Sequence, residues 1–168
     1  MPRSSATKGL FAALLVLLAP TWLAPAAAAL PQRGEAPAPK TPLDYFNIIR
    51  DQRDQTQRNL IEELGQIKTE DALTMLKRSV DEMRNRWGKQ YVFSAMRFYM
   101  DDPKLGPAAI KFGRTAALGR DAAASQAAAA AMAGWGPSVQ DVLFEVAADG
   151  WDAGARAEAI RGIHGLLR

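Results

Sequence analysis

Apolar residues recur at helical spacing along most of the chain, in blocks that resemble one another. NLIEELGQI (59–67), YVFSAMRFY (91–99), AAAAAMAGW (127–135) and AIRGIHGLL (159–167) align at offsets of 32, 36 and 32 residues. One column reads Leu60, Val92, Ala128, Ile160. Four residues on, a second reads Leu64, Met96, Met132, His164, and a third reads Ile67, Tyr99, Trp135, Leu167. Positions i, i+4 and i+7 share one face of an α-helix, so each block predicts an amphipathic helix with the same stripe turned inward. A turn and a second helical run follow each of the first three blocks. Thr69 precedes Ala72, Leu73, Leu76 and Val80; Asp101-Asp102-Pro103 precedes Leu105, Ala109, Phe112 and Ala116. Gly136-Pro137-Ser138 precedes Val139, Val142, Leu143 and Val146, with Ser138 and Asp141 spaced as a cap. Upstream, Thr41, Pro42 and Asp44 fit N-cap, N1 and N3 of a helix continued by Leu43, Phe46 and Ile49. The stretch Arg50 to Asn59 holds no aliphatic residue and predicts a break. No segment alternates apolar and polar residues with hairpin punctuation, so the expected class is all-α.

A helical hairpin recurring about every 33 residues cannot bury its apolar face alone, whereas stacked copies can. Residues 58–82, RNLIEELGQIKTEDALTMLKRSVDE, carry Leu64-Gly65 near the end of the first helix and Leu73 and Leu76 in the second. This segment resembles a HEAT-like repeat. The second and third units follow the pattern more loosely, with Arg97 and Ala133 where the glycine stands, while Asp102-Pro103 suits the turn. A tetratricopeptide array has a similar period, but Lys77 stands where its small residue belongs. The resemblance implies a short right-handed α-α superhelix of three to three and a half hairpins over 43–168. Its fourth unit is expected to have a first helix and no second. The third first-helix is nearly pure alanine, and it should bury less area than the Leu/Ile-rich first unit.

Ahead of the repeats, residues 1–29 read as a secretory signal peptide. Arg3 and Lys8 form the basic start, Gly9 to Ala19 an apolar core, and Ala27 and Ala29 the small residues of a cleavage site. An uncleaved anchor would need about 20 apolar residues, reached here only across Pro20 and Pro25. Residues 30–42, with four prolines, read as an extended linker. The expected location is therefore the periplasm or cell exterior, with membrane contact only through an uncleaved leader. The 168 residues carry 21 basic and 18 acidic groups, but Arg3 and Lys8 leave with the leader, so the mature chain is close to neutral. That balance, like export, points away from nucleic acid.

The chain has no cysteine and one histidine, which excludes disulfides, thiolate nucleophiles and multi-histidine metal sites. No cofactor or metal site is expected, and Gly106-Pro107 and Gly134-Trp135-Gly136 lack the lysine and spacing of a phosphate loop. His164 falls in the inward column and reads as a structural or semi-exposed histidine. Glu62 and Glu63 diverge by about 100° on a helix, and Asp101-Asp102 sits where a turn and N-cap need it.

The basic cluster Arg84, Arg86, Trp87, Lys89, with Arg97 beyond, has the composition to grip an anionic group, although flanking acids make a solvated inter-repeat loop the preferred reading. Trp87 and Trp151 fall in connections between units, where they either cover the core, the favoured role, or anchor a partner. Arg84, Arg86, Trp87 and Trp151 are the candidate partner-binding residues. HEAT-like arrays are generally scaffolds, so the resemblance implies a non-enzymatic protein-binding module. The alternatives are an accessory fragment of a larger exported enzyme, or a HEAT-scaffold enzyme with an unrecognised carboxylate site.

Overall fold

A computed structural model describes residues 41–168; the leader and nearly all of the proline-rich linker lie outside the described residues. Among the described residues eight α-helices run in order: α1 (Pro42–Asp51), α2 (Asp54–Gln66), α3 (Glu70–Glu82), α4 (Arg86–Ala95), α5 (Leu105–Ala117), α6 (Ala122–Met132), α7 (Gln140–Asp149) and α8 (Ala153–Leu166). Short 3-10 turns, Met96–Tyr99 and Pro137–Val139, follow α4 and precede α7. There is no strand among the described residues.

The helix starts follow the side chains that can satisfy free backbone N–H groups. Thr41 and Asp44 form a reciprocal capping box at α1. Thr69, Asn85, Asp121 and Asp152 each accept from first-turn amides of α3, α4, α6 and α8. Asp102 accepts from the amides of Lys104 and Leu105 at the start of α5, and the Leu105 bond, then that of Lys104, holds its carboxyl below the usual range. The expected cap by Ser138 does not form. Gly136, at φ +86°, turns the chain and Pro137 opens a 3-10 turn, so Ser138 is already inside helical backbone and α7 starts without a side-chain cap.

The break after α1 is shorter than the polar stretch suggests. Only Gln52 and Arg53 separate α1 from α2, and the rest of that stretch is helical. Gln57 closes the corner: its side-chain N–H donates to the carbonyls of Ile49 and Gln52, at 3.2 and 3.1 Å. The Ile49 carbonyl also accepts from the Gln52 amide at 3.3 Å, so Gln57 adds to the bonding at the end of α1.

Packing follows an alternating order. α2 lies on α4, α4 on α6 and α6 on α8, while α1 lies on α3, α3 on α5 and α5 on α7. Cross-links between successive members of each row span the sequence repeat. Glu62 and Arg97, 35 residues apart, meet at 2.5 Å. Glu70 and Lys104, 34 apart, meet at 2.8 Å, and Arg114 pairs with Glu145, 31 residues on. Within the sequence the closest hairpins are α1–α2, α3–α4, α5–α6 and α7–α8. The helices thus pair one helix earlier than the block alignment implies, and α8 is not left without a hairpin partner, because α7 pairs with it.

The inward columns hold where helices lie on both sides. Val92, Phe93, Met96 and Tyr99 are fully buried, as are Ala128 and Met132, and Trp135 is nearly so, its indole N–H donating to the carbonyl of Phe93 at 3.1 Å. Leu64-Gly65 serves close packing: a Cβ on Gly65 would lie 2.8 Å from the carbonyl oxygen of Ala95 on α4.

At α8 the alignment fails. Ile160 is 58% and Leu167 68% exposed, and His164 is exposed too. The buried stripe is Ala155, Ala159 and Gly162, flanked by partly buried Ile163 and Leu166. A Cβ on Gly162 would meet the Cβ of Ala133 at 2.9 Å and Leu143 at 3.3 Å. The helix therefore turns its small residues onto α6 and α7, and the described residues include no later helix to cover its other side.

Candidate partner-binding surface

The beginnings of α2, α4, α6 and α8 form one edge of the molecule. Arg53 and Gln57 of α2 share a cleft with Arg84, Asn85 and Gly88 at α4. Lys89 of α4 reaches Asp121, the cap of α6, at 3.3 Å, and Gln126 of α6 donates to Asp152, the cap of α8, at 2.9 Å. The bond from the Ala155 amide, with Gln126 and others, keeps the Asp152 carboxyl ionised below its ordinary range.

Of the four candidate residues, three lie open on this edge. Trp87 is 62% and Trp151 61% exposed, and Arg84 is exposed. The favoured covering role for the two tryptophans is therefore not what the fold gives them. Trp87 is the second residue of α4, two after the Asn85 cap, and Trp151 stands in the connection just before the Asp152 cap of α8. Arg86 is placed differently. It stacks over the Trp87 ring, 5.5 Å from its centroid, while its guanidinium pairs with Glu158 of α8 at 2.5 Å. Glu158 also pairs with Arg161 at 3.0 Å. α4 and α8 both pack on α6 and scarcely on each other, so this pair ties together two helices that flank α6.

The basic cluster as a whole disperses. Lys89 is buried, donating to the carbonyl of Val80 at 2.7 Å as well as pairing with Asp121. It is an internal tie, and no sequence feature separated it from its exposed neighbours except its place three residues after Arg86. Arg97 stacks on Phe98 and pairs with Glu62. The carboxylates disperse as well: Glu62 takes Arg97, and Glu63 accepts from the Tyr45 hydroxyl at 3.2 Å.

Two cavities lie against these residues. The smaller, about 250 Å³, sits between α2 and α4 beside Arg58, Glu62, Gln90, Ser94 and Arg97. The larger is the cleft at the α1–α2 and α3–α4 corners, about 730 Å³. It brings Arg50 and Arg53 opposite Arg84 and Trp87, a juxtaposition of residues 30 or more apart that sequence reading missed. No group of three or more His, Asp or Glu with metal-holding geometry occurs among the described residues.

No protein-family model matches the chain, and no curated protein or solved structure matches it either.

Proposed function

We propose that this chain is an exported, non-enzymatic interaction module, built as a short α-solenoid of HEAT-like hairpins and docking another protein along the edge that carries Arg84, Trp87 and Trp151. The observation that carries this reading is the pair of indoles standing mostly exposed on the one edge that also carries Arg84. Exposed Trp beside Arg is the composition of binding hot spots, where an aromatic anchor is desolvated on docking. The alternating packing of the helices and the ion pairs spaced one repeat apart support the solenoid reading, since each helix is tied to its counterpart in the next hairpin. Arg86, fixed by Glu158, holds Trp87 in one orientation and lowers the entropy lost on docking.

The test is mild cross-linking and affinity capture of the tagged full-length chain from its own cells, with fractionation. The expected result is a reproducible exported partner that the chain with Trp87→Ala and Trp151→Ala no longer captures. Recovery of the chain alone, recovery from the cytosol, or capture indifferent to both substitutions overturns the proposal.

A further inference from the structure

The larger cleft has a chemistry that names its occupant more narrowly. Arg53 stands on one wall, at the α1–α2 corner, and Arg84 on the other, at the α3–α4 corner. Neither makes an ion pair among the described residues. Arg50 joins them, with only its exposed sequence neighbour Asp51 at 3.8 Å. Among the described residues of the lining Glu82 is the single acidic one, beside three arginines. Trp87 and Tyr91 form its aromatic side, and Arg58 stacks on Tyr91 at 5.7 Å from the ring centroid.

Resting on the interaction reading above, we infer that this cleft binds an extended acidic segment of the partner, with two or more carboxylates spaced to meet Arg53 and Arg84 and an apolar residue lying against Trp87. A volume of about 730 Å³ lies within the range of roughly 300–1,000 Å³ typical of ligand sites. Its walls, however, are mainly charged and polar, whereas small-molecule sites are mainly apolar. Guanidinium groups bind carboxylates in paired geometry, and two unpaired ones on facing walls hold two carboxylates at once. A nucleic-acid strand needs a basic track longer than one cleft. From Leu43 onward the chain carries as many acidic as basic residues, so the charge here is local.

The probe is a fluorescein-labelled octapeptide of alternating aspartate and leucine, titrated with the purified full-length chain in fluorescence polarisation. Binding is expected to weaken at least about tenfold in the double variant Arg53→Glu/Arg84→Glu, and to weaken as salt rises. The matching asparagine peptide and an oligo-dT of the same length should not bind. Arg120→Glu, the same substitution at a single site on the next corner of the same edge, should leave the affinity within about twofold. All these positions are exposed, so the variants keep the fold, which circular dichroism checks. Equal weakening by Arg120→Glu, indifference to the double variant, or oligo-dT binding as tight as the peptide overturns the inference. So does a partner captured through Trp87 and Trp151 that the acidic peptide fails to displace; in that case the interaction reading stands and this assignment falls.

Discussion

Around α3 the interior is filled by Leu73, Leu76 and Val80, against Ile61 and Leu64 of α2 and Phe93, Met96 and Tyr99 of α4 and its following turn. Around α6 it is filled by Ala124, Ala127, Ala128, Ala129 and Ala131, against Ala155, Ala159 and Gly162 of α8. Large side chains hold the first region together by the apolar area they remove from water, about 1.5–3 kcal/mol for each fully buried one. Alanine and glycine remove little area. They let helices approach until backbones nearly touch, as Gly162 does against Ala133, so their contribution is dispersion at short range and strong helix propensity. α6 is also packed closely by three neighbours, α4, α5 and α8. A helix so enclosed is apolar nearly all round, and small residues are what fit there.

The two regions should fail in opposite ways. Leu76→Ala removes a fully buried side chain from the first region and leaves a cavity, and the expected cost is about 3 kcal/mol, measured by urea unfolding. Ala128→Leu adds volume where no space exists and should cost about 2 kcal/mol, although it raises hydrophobicity. If Ala128→Leu were neutral or stabilising, the alanine seam would be loosely packed and the contrast would collapse. If Leu76→Ala cost under about 1 kcal/mol, the first region would be able to collapse around the void.

Legibility in the sequence divided along the same line. Where residues are large, period and burial agreed: Leu73, Leu76, Val92, Met96 and Tyr99 all face inward, and Thr41, Thr69 and Asp102 cap where their types and spacing place them. In α8 the signal inverted, because Ile160 and Leu167 have the hydropathy of core residues while Ala155, Ala159 and Gly162 have the size that the packing needs. Hydropathy carries no information on how close a neighbouring helix will come. The candidate edge was legible as composition, in Arg84, Arg86, Trp87 and Trp151, but not as geometry. That Arg50 and Arg53 face Arg84 depends on the two-residue corner after α1 and on α2 lying beside α4. The capture of Arg86 by Glu158 depends on α4 and α8 both packing on α6. Both are consequences of tertiary packing between segments far apart in the chain.

The smallest effect sharpens the comparison from the first region's side. Filling space with large residues leaves polar atoms stranded more easily than filling it with alanine, and Tyr99 shows this: its ring is fully buried and its hydroxyl has no hydrogen-bond partner. Burial pushes the phenol up to about 12, against about 10 in an unfolded chain. The folded state therefore keeps its proton through a range in which the unfolded state loses it. Stability contributed by the neutral phenol is intact below pH 10 and declines as pH rises from about 10 to about 12, by on the order of 2 kcal/mol. Tyr99→Phe removes that alkaline decline. At pH 7 it should also stabilise the fold by about 1 kcal/mol, because an unsatisfied buried hydroxyl is exchanged for a hydrogen at nearly constant shape. Urea titrations of both proteins at pH 7 and near pH 11 separate the two effects. A Tyr99→Phe protein less stable at pH 7 by 1 kcal/mol or more would mean that the hydroxyl is hydrogen-bonded in solution, and that the large-residue region satisfies its polar atoms as fully as the alanine region does.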